Sequence, residues 1–326
     1  MNKRMLLSSL IIPAAMLAFS GQSAFAQSFP DQPIHMTVVW PAGGGHDIMG
    51  RLIANELSQI LDNPVVVDNV VGAGGSTGMR ALASAKPDGY TIGVMGMHGI
   101  SQSYMNVNAP QMEDFEPLVY VSDEPAALEV AATTGIATLA DYVTAMQDDP
   151  MALLNGNDPP GGNSFIFAHI IAGELGIDMM TLPYAGHGPT ATALLTGEVQ
   201  SATLPIPPVL EHARAGTLNV LGVASEQRHP QLPDVPTFKE QGYDFTANDF
   251  IMIVAPKGLP PEVKATLSDA LLEAINAPDF VAAATNNGTV LRPGGPEMAE
   301  AELNRQIETV YPLLLDADLV ADGLKR

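Results

Sequence analysis

Short apolar runs that end in glycine-rich turns and pass into residues at helical spacing recur along this chain, and nothing else restricts its fold as much. Ile34 to Trp40 is rich in β-formers and stops at Pro41-Ala42-Gly43-Gly44-Gly45. Beyond that turn, Ile48, Met49, Leu52, Ile53, Leu57, Ile60 and Leu61 fall on one helical face. Val65-Val66-Val67 predicts a second strand, Gly72-Ala73-Gly74-Gly75 its turn, and Ser76 to about Ala85 a second helix. Pro87-Asp88-Gly89 reads as a turn before a third strand, Tyr90 to Met95. The pattern resumes with a strand at Met151 to Leu154, a Gly/Pro-rich loop at Asn155 to Asn163 and a helix at Ser164 to Leu175. Met179 to Leu182 is the next strand, and Pro183 to Gly188 turns into a helix through Leu195. Leu218 to Val223 and Phe250 to Val254 are further strands, and Ala299, Leu303, Ile307, Val310 and Leu314 mark a late helix. Alternating strands and helices predict a mostly parallel sheet with helices on both faces. Two such α/β units with their turns facing enclose a cleft, the usual place for a ligand.

The first residues bear on compartment. Lys3 and Arg4 precede an apolar stretch, Met5 to Phe19, and Ser23-Ala24-Phe25-Ala26 supplies a small-x-small cleavage pattern. A secretory signal over 1–26 is expected, with a mature chain starting near Gln27 in the periplasm. Zero cysteines exclude disulfides, thiolate metal sites and cysteine nucleophiles. The formal charge is −22; residues 1–26 hold two bases and no acid, leaving 12 basic against 36 acidic residues, or −24. Such a balance argues against nucleic acid and against anionic membrane surfaces, which both require clustered Lys and Arg.

Phe29-Pro30-Asp31-Gln32-Pro33-Ile34 followed by Pro41-Ala42-Gly43-Gly44-Gly45-His46-Asp47 makes the chain recognisable. With Pro64 to Asn69, Gly72 to Gly78, Lys86 to Thr91, His169 to Leu175, Leu182 to Gly186, Leu232 to Thr237 and Ala255 to Pro260, it resembles the solute-binding subunits of tripartite tricarboxylate transporters, the Bug-type receptors. These blocks keep the family's order over nearly the whole mature chain. The resemblance implies an α/β type II periplasmic-binding-protein fold, with two lobes around a central cleft joined by a two-strand hinge. Residues 27–122 plus 250–326 would form lobe 1 and 123–249 lobe 2, with crossings near Ser122-Asp123 and Asn248-Asp249. It further implies capture of a small carboxylate and delivery to membrane permease subunits; the Phe165/Phe167 pair leaves room for an aromatic carboxylate, and the histidines suit a di- or tricarboxylate. No catalytic residue, metal or cofactor is expected, and a monomer is the default.

None of the 12 mature basic residues lies in the candidate loops 41–47, 155–164 and 184–190. A carboxylate there is expected to meet backbone N–H groups at helix starts instead, bared by glycine. Ala42, Gly43, Gly44 and Gly45, after Pro41, would grip from one lobe, and Gly186, His187, Gly188 and Pro189, after Tyr184, from the other. Asp47 is expected to cap the following helix or to fix the loop, with ligand contact as the alternative. His46, His98 and His187 are each expected near the cleft, either as structural histidines or as pH-sensitive donors. Asn163 and Ser164 match polar positions before the family's second-lobe helix, Phe165 is expected as part pocket wall, and Pro205 stands near a position often polar in the family. Asp158-Pro159-Pro160 and Gln200 depart from the family's pattern, which leaves the ligand's identity open.

Two other classes compete. Gly74-Gly75-Ser76-Thr77-Gly78 satisfies the G-x-S-x-G pattern of a serine-hydrolase elbow, which would make Ser76 a nucleophile; the plainer reading is a helix start capped by Ser76 or Thr77. Gly72 to Thr77 lacks the third glycine of a dinucleotide fingerprint. A receptor feeding a sensor protein instead of a permease has the same sequence signature.

Overall fold

The computed structural model describes residues 29–325, so the expected export signal at 1–26 lies outside the described residues. The chain runs β1 (Ile34–Val38), α1 (Gly45–Ile60), β2 (Val65–Asn69), α2 (Ser76–Ala83), β3 (Thr91–Met95) and α3 (Met97–Met105). Two crossing segments follow, β4 (Phe115–Pro125) and β5 (Ala127–Ala131), then α4 (Leu139–Asp148), β6 (Asn155–Asn157), α5 (Asn163–Leu175), β7 (Thr181–Pro183) and α6 (His187–Thr196). After β8 (Ser201–Ala202), α7 (Leu210–Arg214) and β9 (Leu218–Val223), the chain returns through β10 (Asn248–Pro256) to α8 (Pro261–Asn276), α9 (Pro278–Asn286), β11 (Val290–Gly294) and α10 (Pro296–Asp316).

Two mixed sheets result, ordered β11-β4-β10-β3-β1-β2 and β7-β6-β8-β5-β9. In the first, β1 pairs in parallel with β2 and β3, so all three strands deliver their turns to one edge. Ile34, Met36, Val38, Ile92 and Val94 are buried there, and Met49, Ile53 and Leu57 press the apolar face of α1 against them. β1 and β3 are buried nearly throughout, with His35 the exposed exception in β1, whereas β2 at the edge is only partly buried.

β4 and β10 pair antiparallel along their whole length, from Phe115 opposite Pro256 to Pro125 opposite Asn248. The amide of Ala126 then donates to Ala247 O, and that of Ala247 to Ala224 O, which ties the ribbon to the second sheet. α10 packs back on α3 and β4, so the C-terminal segment rejoins the first sheet.

In the second sheet the apolar segment Met151 to Leu154 is not the strand; Asn155–Asn157 is, inside the stretch expected as loop. It pairs in parallel with β7 and β8. The fully buried Asn155 is tolerated there because its Nδ2 donates to Ser201 Oγ and Thr203 Oγ1 donates to its Oδ1. Buried polar groups persist where they find partners, which a hydropathy pattern does not register.

Candidate functional site

Three helices start on one cavity of about 180 Å³ between the lobes. α1 begins after the β1 turn, α5 after β6 and α6 after β7, each at the carboxyl end of a parallel strand, where open α/β sheets receive ligands. The walls are Trp40 to His46 from the first lobe and Asp158, Asn163 and Ala185 to Pro189 from the second. No lysine or arginine is among them. Helix starts carry unpaired N–H groups and the positive end of the helix dipole, so three of them aimed at one space favour an anion.

Glycine is needed at two points of these turns. Gly43 at φ +86° and Gly186 at φ +100° occupy the left-handed half of conformational space, which side chains disfavour. Gly44 is different: its backbone is extended, and a Cβ built there meets only Pro41 O, at 3.6 Å.

The first turn is braced from behind. Asp47 Oδ2 accepts from Gly43 N at 2.8 Å, Asn69 Nδ2 donates to Oδ1 at 2.8 Å, and Arg51 bridges both oxygens. Asp47 therefore fixes the loop; no side chain caps α1, whose N-cap is Gly44. Burial raises the carboxyl's pKa, but the bonds from Arg51, Gly43 and Asn69 outweigh it and hold it below the usual range.

At the floor, Asp249 on β10 joins both lobes. Its Oδ1 accepts from Met97 N at 2.6 Å and Phe250 N at 2.7 Å, and its Oδ2 takes a short bond from Asn163 Nδ2. The start of α3 is thus filled by the protein's own carboxylate. Gly96 makes this approach possible, since a Cβ there would stand 2.9 Å from Asp249 Oδ1 and 2.5 Å from His46 Nε2.

His187 Nε2 lies 2.9 Å from Asn163 Oδ1 and 3.5 Å from Asp158 Oδ2. Burial lowers its pKa, yet Asp158 and then Asp249 overcome that, leaving it above the ordinary histidine value. Asp158 shows the reciprocal effect: burial raises its pKa, but His187 outweighs it and the carboxyl stays low. His46 goes the other way, lowered by burial despite Asp249 at 3.9 Å. His98, stacked edge-on against His46 and Trp40, is lowered well below the ordinary value by burial and by His46. The wall therefore carries His187, whose charged form Asp158 and Asp249 favour, and His46, whose neutral form burial favours, with His98 behind His46.

Of the residues expected from sequence, Pro41, Ala42, Gly43, Gly44, His46, Asn163, Gly186 and His187 come together on the wall. The others stand off it. Asp47 is turned back into its loop, and His98 lies behind His46. Ser164 ties down the β6–α5 turn: its Oγ accepts from Asp158 N at 2.7 Å, and its N–H donates to Asp158 Oδ2 at 3.2 Å. Phe165 belongs to the core and packs on His169, because α5 is apolar around its circumference and buries most of its faces. Tyr184 packs beside the core under α6, and Pro205 bridges Ala126 next to the crossing strand. Gly45, Gly188 and Pro189 are on the wall as expected, whereas sequence reading missed Trp40, Asp158 and Ala185 there and Asp249 beneath.

Ser76 is buried and donates to Ala73 O at 2.9 Å, with Asn106 Nδ2 donating to it at 3.3 Å. Neither bond involves an imidazole or carboxylate, so the arrangement is not a hydrolase triad. Nor does Ser76 or Thr77 cap α2, whose N-cap is Gly75.

A larger hollow of about 420 Å³ opens on the other face of the crossing ribbon. Side chains alternate along a strand, so Asp123 and Asn248 point there while Glu124 and Asp249 point to the cleft side. Its arginines are matched internally, Arg292 by Asp123 and Glu302 and Arg228 by Glu240. No helix start of the βα turns faces it, and the smaller cavity is the candidate site.

Comparison with known proteins adds the lineage. The model of the tripartite tricarboxylate transporter family receptor matches residues 49–297. Protein BugT of Bordetella pertussis is 31% identical over 268 residues, spanning 81% of this chain and 82% of that protein. The solved periplasmic binding protein BugD is 28% identical with a TM-score of 0.82, covering 90% of this chain and 99% of its own. MatC from Rhodopseudomonas palustris, solved with bound malate, is 26% identical with a TM-score of 0.80, covering 88% and 100%.

Proposed function

This chain belongs to the tripartite tricarboxylate transporter receptor family, whose members are binding proteins and not enzymes, and we propose that it captures a small carboxylate between its lobes and hands it to the permease of such a transporter. The observation that carries this reading is the convergence of three helix starts on a cavity free of lysine and arginine. Peptide N–H groups of Ala42 to Gly45 and of Gly186 to Gly188 would hold the carboxylate from opposite lobes, with His187 beside them. Charge-assisted hydrogen bonds contribute about 1.5–3 kcal/mol each. Two or three of them, added to lobe closure, approach the ~8 kcal/mol of a micromolar complex.

Malate in the related MatC supports a carboxylate, and the periplasmic setting of BugD supports export through the 1–26 signal. Lobe 1 would comprise 27–122 and 250–326, and lobe 2 residues 123–249, so that β4 and β10 serve as the hinge.

The sequence contains a single tryptophan, Trp40, and it lines the cavity, so intrinsic fluorescence reports on ligand directly. A saturable change is expected with at least one member of a carboxylate panel that includes malate. Gly44→Leu should fill the space opposite α6 and weaken binding at least 100-fold. Its melting temperature should stay within ~2 °C, because the extended, half-buried backbone there takes a Cβ without strain or clash. Wild-type affinity in this variant would remove the amide cradle from consideration.

A further inference from the structure

Resting on that carboxylate-capture reading, we infer that the cleft selects a monocarboxylate whose remainder carries a hydrogen-bond donor, and that it discriminates against di- and tricarboxylates. The charges around the cavity are already balanced or spent. His187 on the wall is already partnered, its Nε2 3.5 Å from Asp158 Oδ2. Asp249 beneath adds a second carboxylate, held by Met97 N, Phe250 N and Asn163 Nδ2. A first ligand carboxylate has the starts of α1 and α6 to meet. A second has none: the start of α3 is occupied by Asp249 and that of α5 by Asp158, which accepts from Ser164 N, and no lysine or arginine is within the wall. It would sit unpaired near Asp158 and Asp249, where like charges in a partly dry space repel.

Two further observations describe the rest of the ligand. Asp158 lines the cavity, is 1% exposed, and its Oδ1 has no hydrogen-bond partner among the described residues. Buried acceptors are nearly always paired, so this oxygen calls for a donor such as a hydroxyl, an amide N–H or an ammonium. His46 Nε2, by contrast, is directed at the floor, toward Gly96 and 3.9 Å from Asp249 Oδ2. The intervening wall is apolar, formed by Trp40, Pro41, Ala42, Ala185 and Pro189, and suits an uncharged carbon skeleton.

Four ligands of equal carbon count separate the two requirements: butanoate, 3-hydroxybutanoate, succinate and malate, each titrated against Trp40 fluorescence. The expected order places 3-hydroxybutanoate at least tenfold tighter than succinate or malate and severalfold tighter than butanoate. Asp158→Asn should shrink both the preference for the hydroxyl and the penalty on the dianions, which loss of a merely structural aspartate would not do. Tightest binding of succinate or malate to the wild-type protein would overturn the inference and leave carboxylate capture standing. Silence from all four, and from benzoate, 4-hydroxybenzoate and terephthalate, would remove capture itself and the inference with it.

Discussion

Asp249→Ala is expected to lower the melting temperature by ~6–10 °C and to abolish measurable ligand capture. The side chain is buried, and it is the common acceptor for Met97 N, Phe250 N and Asn163 Nδ2. Removing it leaves three donors without partners in a space that water enters poorly. Each unsatisfied buried donor costs about 1–3 kcal/mol, and breaking one side of a buried charged network typically costs 3–5 kcal/mol in all. For a chain of this size each kcal/mol moves the melting point by ~2 °C. Capture suffers separately, since Asn163 begins α5 and positions His187 through its Oδ1. Asp249→Asn is the informative control: one oxygen can still serve both backbone amides, so roughly half the stability loss should return. Thermal unfolding of both variants checks this, and a melting point equal to wild type in Asp249→Ala would show that the node carries no weight.

That node also marks where the sequence stopped being legible. The βα turns could be read because strand, glycine turn and helix are local patterns: His46 and His187 each follow a glycine turn, and the structure puts both on the cavity wall. Asp249 has no such neighbourhood. Its partners lie 86 and 152 residues away, and in the sequence it is only an acid before an apolar run. Phe165 was misplaced for a related reason, because α5 lacks a polar stripe and its periodicity does not say which face meets the cleft. The strand at Asn155–Asn157 looked like loop because it is polar, and the partners that satisfy the buried Asn155, Ser201 and Thr203, lie nearly fifty residues on. Where the physics is backbone geometry, one sequence suffices; where it is a long-range hydrogen bond, the residue type alone carries no direction.

Glu124→Gln is expected to stabilise the protein at pH 8 by ~3–4 kcal/mol and to flatten the pH dependence of its stability. Glu124 stands directly opposite Asp249 in the β4–β10 ladder, on the cleft side of the ribbon. Burial first, and Asp249 second, push its pKa up to about 8, with only a weak bond from Ser122 Oγ at 3.4 Å in opposition. The folded protein therefore keeps the proton at neutral pH, whereas the unfolded chain releases it near pH ~4.5. Its contribution is fully present below that value and is lost as pH rises toward 8, at about 1.4 kcal/mol per unit. Glutamine is neutral throughout and escapes the loss. Other buried acids with raised pKa, Glu129 among them, tilt both proteins the same way, so the difference between the two profiles isolates Glu124. Urea midpoints at pH 5 and pH 8 measure it, and parallel profiles would mean that Glu124 is ionised in the fold. The protonated form also matters to capture: an ionised Glu124 would add another negative charge under a cleft that must admit an anion. The same burial that costs stability at alkaline pH keeps the floor of the cleft one charge less hostile to its ligand.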